Sequence, residues 1–324
     1  MATIHDVARL AGVSIATVSR SLNGRTRVSE ETRDRVIEIA NALDFRPNRT
    51  ARGLVTGRLD NIGVLLPDVA NPFYGPILVG IGDLARERDL GVFLADTRED
   101  VKVEVELCRR LAEQVDGLVL VSARMPEDRL RVVAAARPTV LVNRVVHGID
   151  AVAIDGSTGM VAMIEHLAGL GHRRILYLDG PPASWSGASK LVGVRAGAAS
   201  TGAEVVEVGP HSPSYAAGRA AAPAVLDSGC TAVVAYDDLV AWGVVTRVRE
   251  LGASVPGDLS VGGFDDAIAE GMLTPALTTV SAGAPSMGAD AAELLLRRMK
   301  QPDLPAEHRL LRSELVVRAS TAAP

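Results

Sequence analysis

Cysteine is nearly absent from this 324-residue chain, which has only Cys108 and Cys230. They show no metal-ligand spacing, and two cysteines so far apart read as free buried thiols, not as a disulfide framework. Aromatic residues make up 3% of the chain, so the core has to be built from Ala, Val, Leu and Ile. No apolar run reaches the roughly 18 residues of a membrane span. The opening stretch carries His5, Asp6 and Arg9 and lacks the apolar region of a signal peptide. The expectation is a cytoplasmic protein with no membrane partner. Lysine is scarce too: Lys102, Lys190 and Lys300 are three of the 34 Lys and Arg residues. That bias reads as codon usage in a GC-rich genome. Patterns for catalysis are missing as well. There is no Gly-x-Ser-x-Gly elbow and no metal cluster, and His5, His147, His166, His172, His211 and His308 are scattered. Neither an enzyme nor a cofactor or metal is expected.

What remains is ordinary for a globular protein, with 48% hydrophobic and 23% charged residues. This excludes disorder, collagen and coiled coil. The length is roughly that of two or three domains. The net charge of −5 hides an asymmetry, because the first 58 residues hold ten Arg against six acidic residues. A basic segment ahead of an acidic body suggests an anionic partner for that segment alone, although a solvated charged face has the same composition.

Three short helical patterns fill the basic segment. Thr3 and Asp6 form a capping-box-like start, Val7, Ala8 and Ala11 share a face, and Gly12 ends the first helix. Ser14 caps a second helix, Ile15 to Leu22, and Asn23-Gly24 is a turn signal. Ser29 caps a third, with Val36, Ile39, Ala40 and Leu43 inward. The spacing of Ala8, Gly12 and Val18 is that of a helix-turn-helix: a small residue for close approach, Gly for the turn, Val to lock the pair. A plain three-helix bundle is the alternative, but Ile15 and Ala16 at an exposed helix start would be odd filler. The second helix would enter the major groove of double-stranded DNA, offering Ile15, Ala16 and Arg20 to base edges. Thr17, Ser19, Asn23 and Arg27 would reach phosphates. Thr3 and Ser14 complete the expected DNA-binding set of these helices.

From Asn61 onward, apolar runs alternate with helical patterns. Ile62–Leu66, Gly91–Ala95, Gly117–Val121, Thr139–Val142, Ala151–Ile154, Arg174–Leu178, Thr231–Ala235 and Leu259–Phe264 read as buried parallel strands. Ile77–Arg88, Val103–Gln114 and Gly159–Leu170 read as crossover helices. This is an α/β sandwich repeated twice. Gly80-Ile81-Gly82-Asp83-Leu84-Ala85, with Asp96 further on, imitates a dinucleotide fingerprint. The glycines fall inside a helix and not at a strand end, so they read as packing glycines.

The basic segment resembles the DNA-binding headpiece of the LacI/GalR repressors. Ile4-His5-Asp6-Val7-Ala8, Ala11-Gly12-Val13-Ser14, Ala16-Thr17-Val18-Ser19-Arg20 and Phe45-Arg46-Pro47-Asn48 carry the likeness. It continues more loosely over almost the whole chain, through Gly171-His172-Arg173-Arg174-Ile175, Asp237-Asp238 and Gly263-Phe264-Asp265-Asp266. The resemblance implies a headpiece over residues 1–46 and a hinge helix and linker over 47–59. It also implies a periplasmic-binding-protein-like body over 60–324. That body would comprise an N-subdomain of about 60–156 and 284–312 and a C-subdomain of about 157–283 and 313–324. The resemblance adds Asn48, Ala51 and Leu54 of the hinge to the DNA-binding set, and Leu54 matches the family's wedge, which pries open the central step of a pseudo-palindromic operator. The end of the chain carries no heptad extension, so a homodimer is expected.

Ligands of open α/β folds sit at strand carboxyl ends. Asn71, Phe73, Tyr74, Asn143, Arg144, Trp185, Lys190, Tyr236, Asp238 and Asp265 are the candidates there. Carboxylates, amides, a cation and aromatic faces suit a sugar. The resemblance implies the same pocket with departures: Lys190 stands where most members have Arg, Asn143 where many have Asp, and Tyr236 where sugar-responsive members often have Asn. Lys keeps the charge but loses the bidentate fork. The expected function is that of a repressor controlled by a small-molecule effector. Two alternatives stay open: a small-molecule-binding protein or enzyme with a vestigial headpiece, and a DNA-binding regulator controlled by a partner protein.

Overall fold

A computed structural model describes residues 2–22, 28–45, 58–268, 271–281 and 283–324. The chain forms two compact units, Met1–Asp60 and Asn61–Pro324.

The first unit holds helices α1 (Ile4–Ala11), α2 (Ile15–Leu22) and α3 (Glu30–Ala42). The Thr3 hydroxyl accepts from the Asp6 N–H while Asp6 accepts from the Thr3 N–H, so the capping box is complete. Gly12 sits at φ 66°, a left-handed cap that favours glycine, and the turn to α2 follows at once. Ser14 caps α2 by accepting from the Thr17 N–H at 3.1 Å. Ser29 caps α3 in the same way through Thr32. Val7, Ala8, Ala11, Val18, Val36 and Ala40 make a small core, with Ile39 and Leu43 packed at its border.

In the second unit, β1 (Asn61–Leu66) is followed by α4 (Tyr74–Glu87) and β2 (Gly91–Asp96). Next come α5 (Val101–Ala112), β3 (Gly117–Val121) and α6 (Glu127–Ala136), then β4 (Thr139–Val142) and β5 (Asp150–Ile154). Helix α7 (Gly156–Leu170) leads to β6 (Arg174–Leu178), α8 (Trp185–Thr201), β7 (Glu204–Val208) and α9 (Tyr215–Asp227). After these come β8 (Ala232–Ala235), α10 (Asp238–Glu250), β9 (Ser260–Gly262) and β10 (Thr279–Ser281). The chain closes with α11 (Ala284–Lys300), β11 (His308–Leu311) and β12 (Glu314–Val316). Two parallel sheets result, one ordered β11-β5-β4-β3-β1-β2 and one ordered β7-β6-β8-β9. A two-stranded antiparallel pair, β10 with β12, completes the set.

The central strands are dry on both faces because helices cover each side; β3, β4 and β5 are buried throughout. Strand β2 departs from the expected buried character. It is an edge strand, and Val92, Phe93 and Leu94 are 43%, 40% and 47% exposed. The expected strand Leu259–Phe264 shortens to Ser260–Gly262, since the chain turns out of the sheet to deliver Phe264 and Asp265. Strands β7, β10, β11 and β12 went unread. They are short or half-exposed edges with weak apolar patterns. Asp150, fully buried at the start of β5, accepts from Arg298 Nε at 2.7 Å and from the Glu307 N–H at 2.8 Å, fastening α11 and β11 to the sheet.

Gly80 and Gly82 lie inside α4, as their spacing from the strand requires. A Cβ on Gly80 would come within 2.8 Å of the Ala289 N, so this glycine does permit α4 and α11 to touch. Gly82 faces open space and has no such role. Cys108 and Cys230 are free and buried.

Candidate functional site

On α2, Val18 is fully buried and Ile15 is 40% exposed. Ala16 and Arg20 are exposed with it, so the three residues assigned to base edges face solvent. Ser14 is exposed, and Thr17 and Ser19 are half-buried beside it. Thr3 is exposed and engaged in its capping box. Asn23, Arg27, Asn48, Ala51 and Leu54 lie outside the described residues.

In the body, the carboxyl ends of the two sheets' strands meet in a cleft. Its walls include Asn71, Phe73, Tyr74 and Asn143 from the first sheet's side and Lys190, Tyr236 and Asp265 from the second. The walls approach closely, leaving about 20 Å³, the space of roughly one water. The backbone is bent sharply to deliver these side chains. Ser122 at φ 48°, Asn143 at φ 56° and Asp265 at φ 112° are left-handed non-glycine residues just past strand ends. Such conformations cost of order 1–3 kcal/mol each and cluster at functional sites.

Lys190 is buried and serves as the electrostatic centre. Its ammonium donates to the Tyr236 carbonyl at 2.9 Å and lies 3.7 Å from Asp265 Oδ1. It also sits over the Phe264 and Tyr236 rings, 3.9 and 4.3 Å from their centroids. Cation–π contacts of this kind contribute about 0.5–2 kcal/mol each. Burial pushes the Asp265 carboxyl well above the usual carboxylate range, and Lys190 pulls it back. Burial likewise pushes Asp237 up to about 6, against its hydrogen bond from the Val240 N–H. Tyr236 donates or accepts with Ser184 at 2.8 Å, which fixes its ring. Asn143 Oδ1 is buried without a hydrogen-bond partner while its Nδ2 faces Ser122 Oγ at 3.4 Å. An unmet acceptor beside a carboxylate and a cation suits a ligand rich in hydroxyl groups.

Three expected pocket residues point elsewhere. Arg144 donates to the Ala123 carbonyl at 2.7 Å. Asp238 is turned into the wall, accepting from Thr279 Oγ1 at 2.6 Å and from the Ala267 N–H at 2.8 Å. Trp185 opens α8, five positions before Lys190, and falls on a different side of the helix from it. Ser186, one turn before Lys190, takes the place in the wall instead. Ser122, Arg124 and Asp237 also line the cleft and were missed. The end of β3 marked Ser122, which follows it directly, and Arg124, three residues past it, and the helical i, i+4 spacing marked Ser186. Arg124 is held rigidly: Glu99 accepts from its Nε at 2.7 Å and its Nη2 at 3.0 Å. Buried Glu104 accepts from the Arg124 and Met125 N–H groups.

Comparison with known proteins agrees with both halves. Residues 3–48 match the model of bacterial regulatory proteins of the lacI family, and residues 164–321 match a periplasmic binding protein-like domain. The catabolite control protein A of Streptococcus mutans is 32% identical over 98% of this chain and 98% of its own length. The lac repressor dimer bound to operator and the anti-inducer ONPF superposes with a TM-score of 0.88, at 28% identity over 99% of each chain. The transcriptional regulator CelR in its cellobiose complex gives a TM-score of 0.73, at 31% identity over 99% of this chain and 100% of that one. A helix-turn-helix unit and a two-sheet body with a polar cleft, joined in one chain, have full-length counterparts in these regulators. The chain belongs to the LacI family of bacterial transcriptional regulators.

Proposed function

We propose that this chain is a homodimeric repressor of a pseudo-palindromic operator, controlled by a sugar or sugar derivative bound in the cleft. The observation that carries this reading is the cleft itself, where Asn143, Lys190 and Asp265 converge beside three aromatic rings in the chain that bears the helix-turn-helix. In this reading residues 1–46 read DNA and 47–59 form the hinge helix and linker. The body then works as two subdomains, 60–156 with 284–312 and 157–283 with 313–324. An effector changes operator affinity only by binding the open and closed cleft unequally.

Dimer formation is supported by the exposed apolar edge of β2 and by Val79 on α4, 63% exposed. A long apolar edge strand left in water is a template for pairing. In this reading the protein acts in the cytoplasm without catalysing a reaction; full-length relatives include the HTH-type transcriptional regulators DegA and GalR. Among the described residues no helix is long and apolar enough to cross a membrane.

Selection of genomic fragments by the purified protein at near-physiological salt tests the reading. A shared pseudo-palindrome, centred on a CG step, is the expected product. Leu54→Ala should then weaken operator binding about tenfold more than nonspecific binding, since the wedge acts only where a step is pried open. Equal loss on both kinds of DNA removes the wedge assignment. Fragments without a common motif, with and without added metabolite extract, remove the repressor reading.

A further inference from the structure

The cleft carboxylate Asp265 rides on a turn that its own backbone disfavours. Asp265 at φ 112° and Asp266 at φ 52° are consecutive left-handed residues, and neither is glycine. Such a pair persists only where its surroundings over-determine it. Three amides of the turn are tied: the Asp265 N–H donates to the Val280 carbonyl at 2.9 Å, the Asp266 N–H to Thr279 Oγ1 at 3.4 Å and the Ala267 N–H to Asp238 Oδ2 at 2.8 Å. The two carboxyls go to different cations. Asp265 Oδ1 lies 3.7 Å from Lys190 Nζ, whereas Asp266 Oδ1 accepts from Arg318 Nη2 at 2.7 Å. Arg318 does not line the cleft. It stands two residues past β12, and its Nη1 donates to the Leu277 carbonyl at 3.0 Å. The chain around Arg318 is pinned in turn. The Arg318 N–H donates to Thr278 Oγ1 at 2.9 Å, and the fully buried Ser320 accepts from the Thr278 N–H at 2.7 Å and donates to the Val261 carbonyl at 2.6 Å. Beyond it, His172 Nε2 lies 2.9 Å from the Ala322 carbonyl oxygen.

We propose that Arg318 is a positioning residue of the cleft: by gripping Asp266 from behind, it holds the left-handed pair so that the Asp265 carboxyl faces Lys190. The importance of that carboxyl to an effector rests on the reading of the cleft as the effector site; the positioning itself does not. The guanidinium suits the task because its planar fork reaches the Asp266 carboxylate and the Leu277 carbonyl at once, which a single ammonium does with less geometric control. The pair is also partly withdrawn from water, with Arg318 15% and Asp266 27% exposed, so it is screened less than a surface pair. The post stands on the connections between the sheets. Strand β12 follows β11 of the first sheet, and its partner β10 leads into α11. A shift of one sheet against the other therefore reaches Asp265 through Arg318.

Two measurements on the full chain without any ligand test this, so their outcome is separate from that of the effector reading. The first is native-state hydrogen exchange at the Asp265, Asp266 and Ala267 amides, with β3 and β4 of the other sheet as internal reference. Arg318→Met should speed exchange at the turn about tenfold, as loss of a hydrogen bond to a charged group does, and leave the reference unchanged. Asp266→Asn should do the same, and the double variant should add little to either single one, because both act through one contact. Arg318→Lys should fall between Arg318→Met and wild type. The second is the titration of the Asp265 carboxyl by carbon NMR, assigned through Asp265→Asn. Burial, with Asp237 and Asp238 nearby, raises it and Lys190 lowers it. In Arg318→Met the relaxed turn should let it return toward the usual carboxylate range, a change that a residue serving only to fasten the β12 segment would not produce. Where Arg318→Met does not fold, Asp266→Asn carries both measurements. Turn amides that exchange as in wild type, exchange raised equally in β3 and β4, or an Asp265 carboxyl that titrates as in wild type each overturn the proposal.

Discussion

Replacing Lys190 by methionine keeps the length of the side chain and removes its charge. Asp265 then stays buried without its cation, and the contacts to the Phe264 and Tyr236 rings lose their electrostatic part. Breaking a buried pair on one side typically costs about 3–5 kcal/mol. Chemical denaturation of Lys190→Met should show a loss toward the lower end, because Asp265 can accept a proton instead. The loss should be smaller at pH 5 than at pH 8. Asp238 gives a cleaner pH signature. Burial pushes its carboxyl up to about 7 from an unfolded value near 3.8, with hydrogen bonds from Thr279 and Ala267 opposing. A folded-state pKa above the unfolded one means the native state binds the extra proton, so stability falls as pH rises from about 4 to about 7. Asp238→Asn has no such term. Its melting temperature relative to wild type should therefore improve over that interval and level off above it; a difference independent of pH would contradict the assignment. Asp238 was legible as a strand-end carboxylate but not as a wall residue. Adjacent aspartates look alike in sequence, and only the register of α10 decides that Asp237 faces the cleft.

Helix α4 meets α11 through glycine. A Cβ at Gly288 would lie 2.1 Å from the Ile77 carbonyl oxygen, which is backbone and cannot step aside. Gly288→Ala should cost about 1–3 kcal/mol, as overpacking does. Gly82→Ala, on the open side of α4, should stabilise by about 0.5–1 kcal/mol through helix propensity alone. Thermal melts of the two variants in opposite directions would establish that the α4–α11 contact depends on glycine while Gly82 of the apparent dinucleotide fingerprint has no packing role. At this scale the headpiece was readable almost to the residue. Its caps at Thr3, Ser14 and Ser29 and its Gly12 turn are local hydrogen-bonding devices, written in the residues that make them. The central strands were readable because burial on both faces leaves a continuous apolar run. The edges β7, β10, β11 and β12 were not, since pairing with a distant segment, and not composition, makes them strands.

Across the whole molecule, the exposed edge of β2 bears on assembly. Phe93→Asp places a charge on that edge without touching the core. If the proposed homodimer pairs through this edge, sedimentation velocity should show dimer for the wild type and monomer for Phe93→Asp at low micromolar concentration. In that proposed arrangement operator affinity should fall with it, because each half-site then binds alone. An unchanged dimer would move the interface to another face. The cleft adds a second whole-molecule property: its walls belong to two separate stretches of the chain, Asn71 to Asn143 on one side and Ser186 to Asp265 on the other. Any effector that bridges them couples the two sheets.

Features that depend on near neighbours are written in the residues themselves. They are three capped helices with a glycine turn, an alternating α/β body, and polar residues at strand ends. These follow from capping, φ preferences and periodicity, which act over a few residues. Which of those polar residues meet is set by the packing of the folded chain. It turned Arg144 and Asp238 away, brought Ser122, Arg124, Ser186 and Asp237 in, and wrapped Lys190 between two rings. The reason is physical: convergence in the cleft depends on the packing of two sheets and the register of the helices between them. Those are set by the sum of many distant contacts, and no short segment carries them.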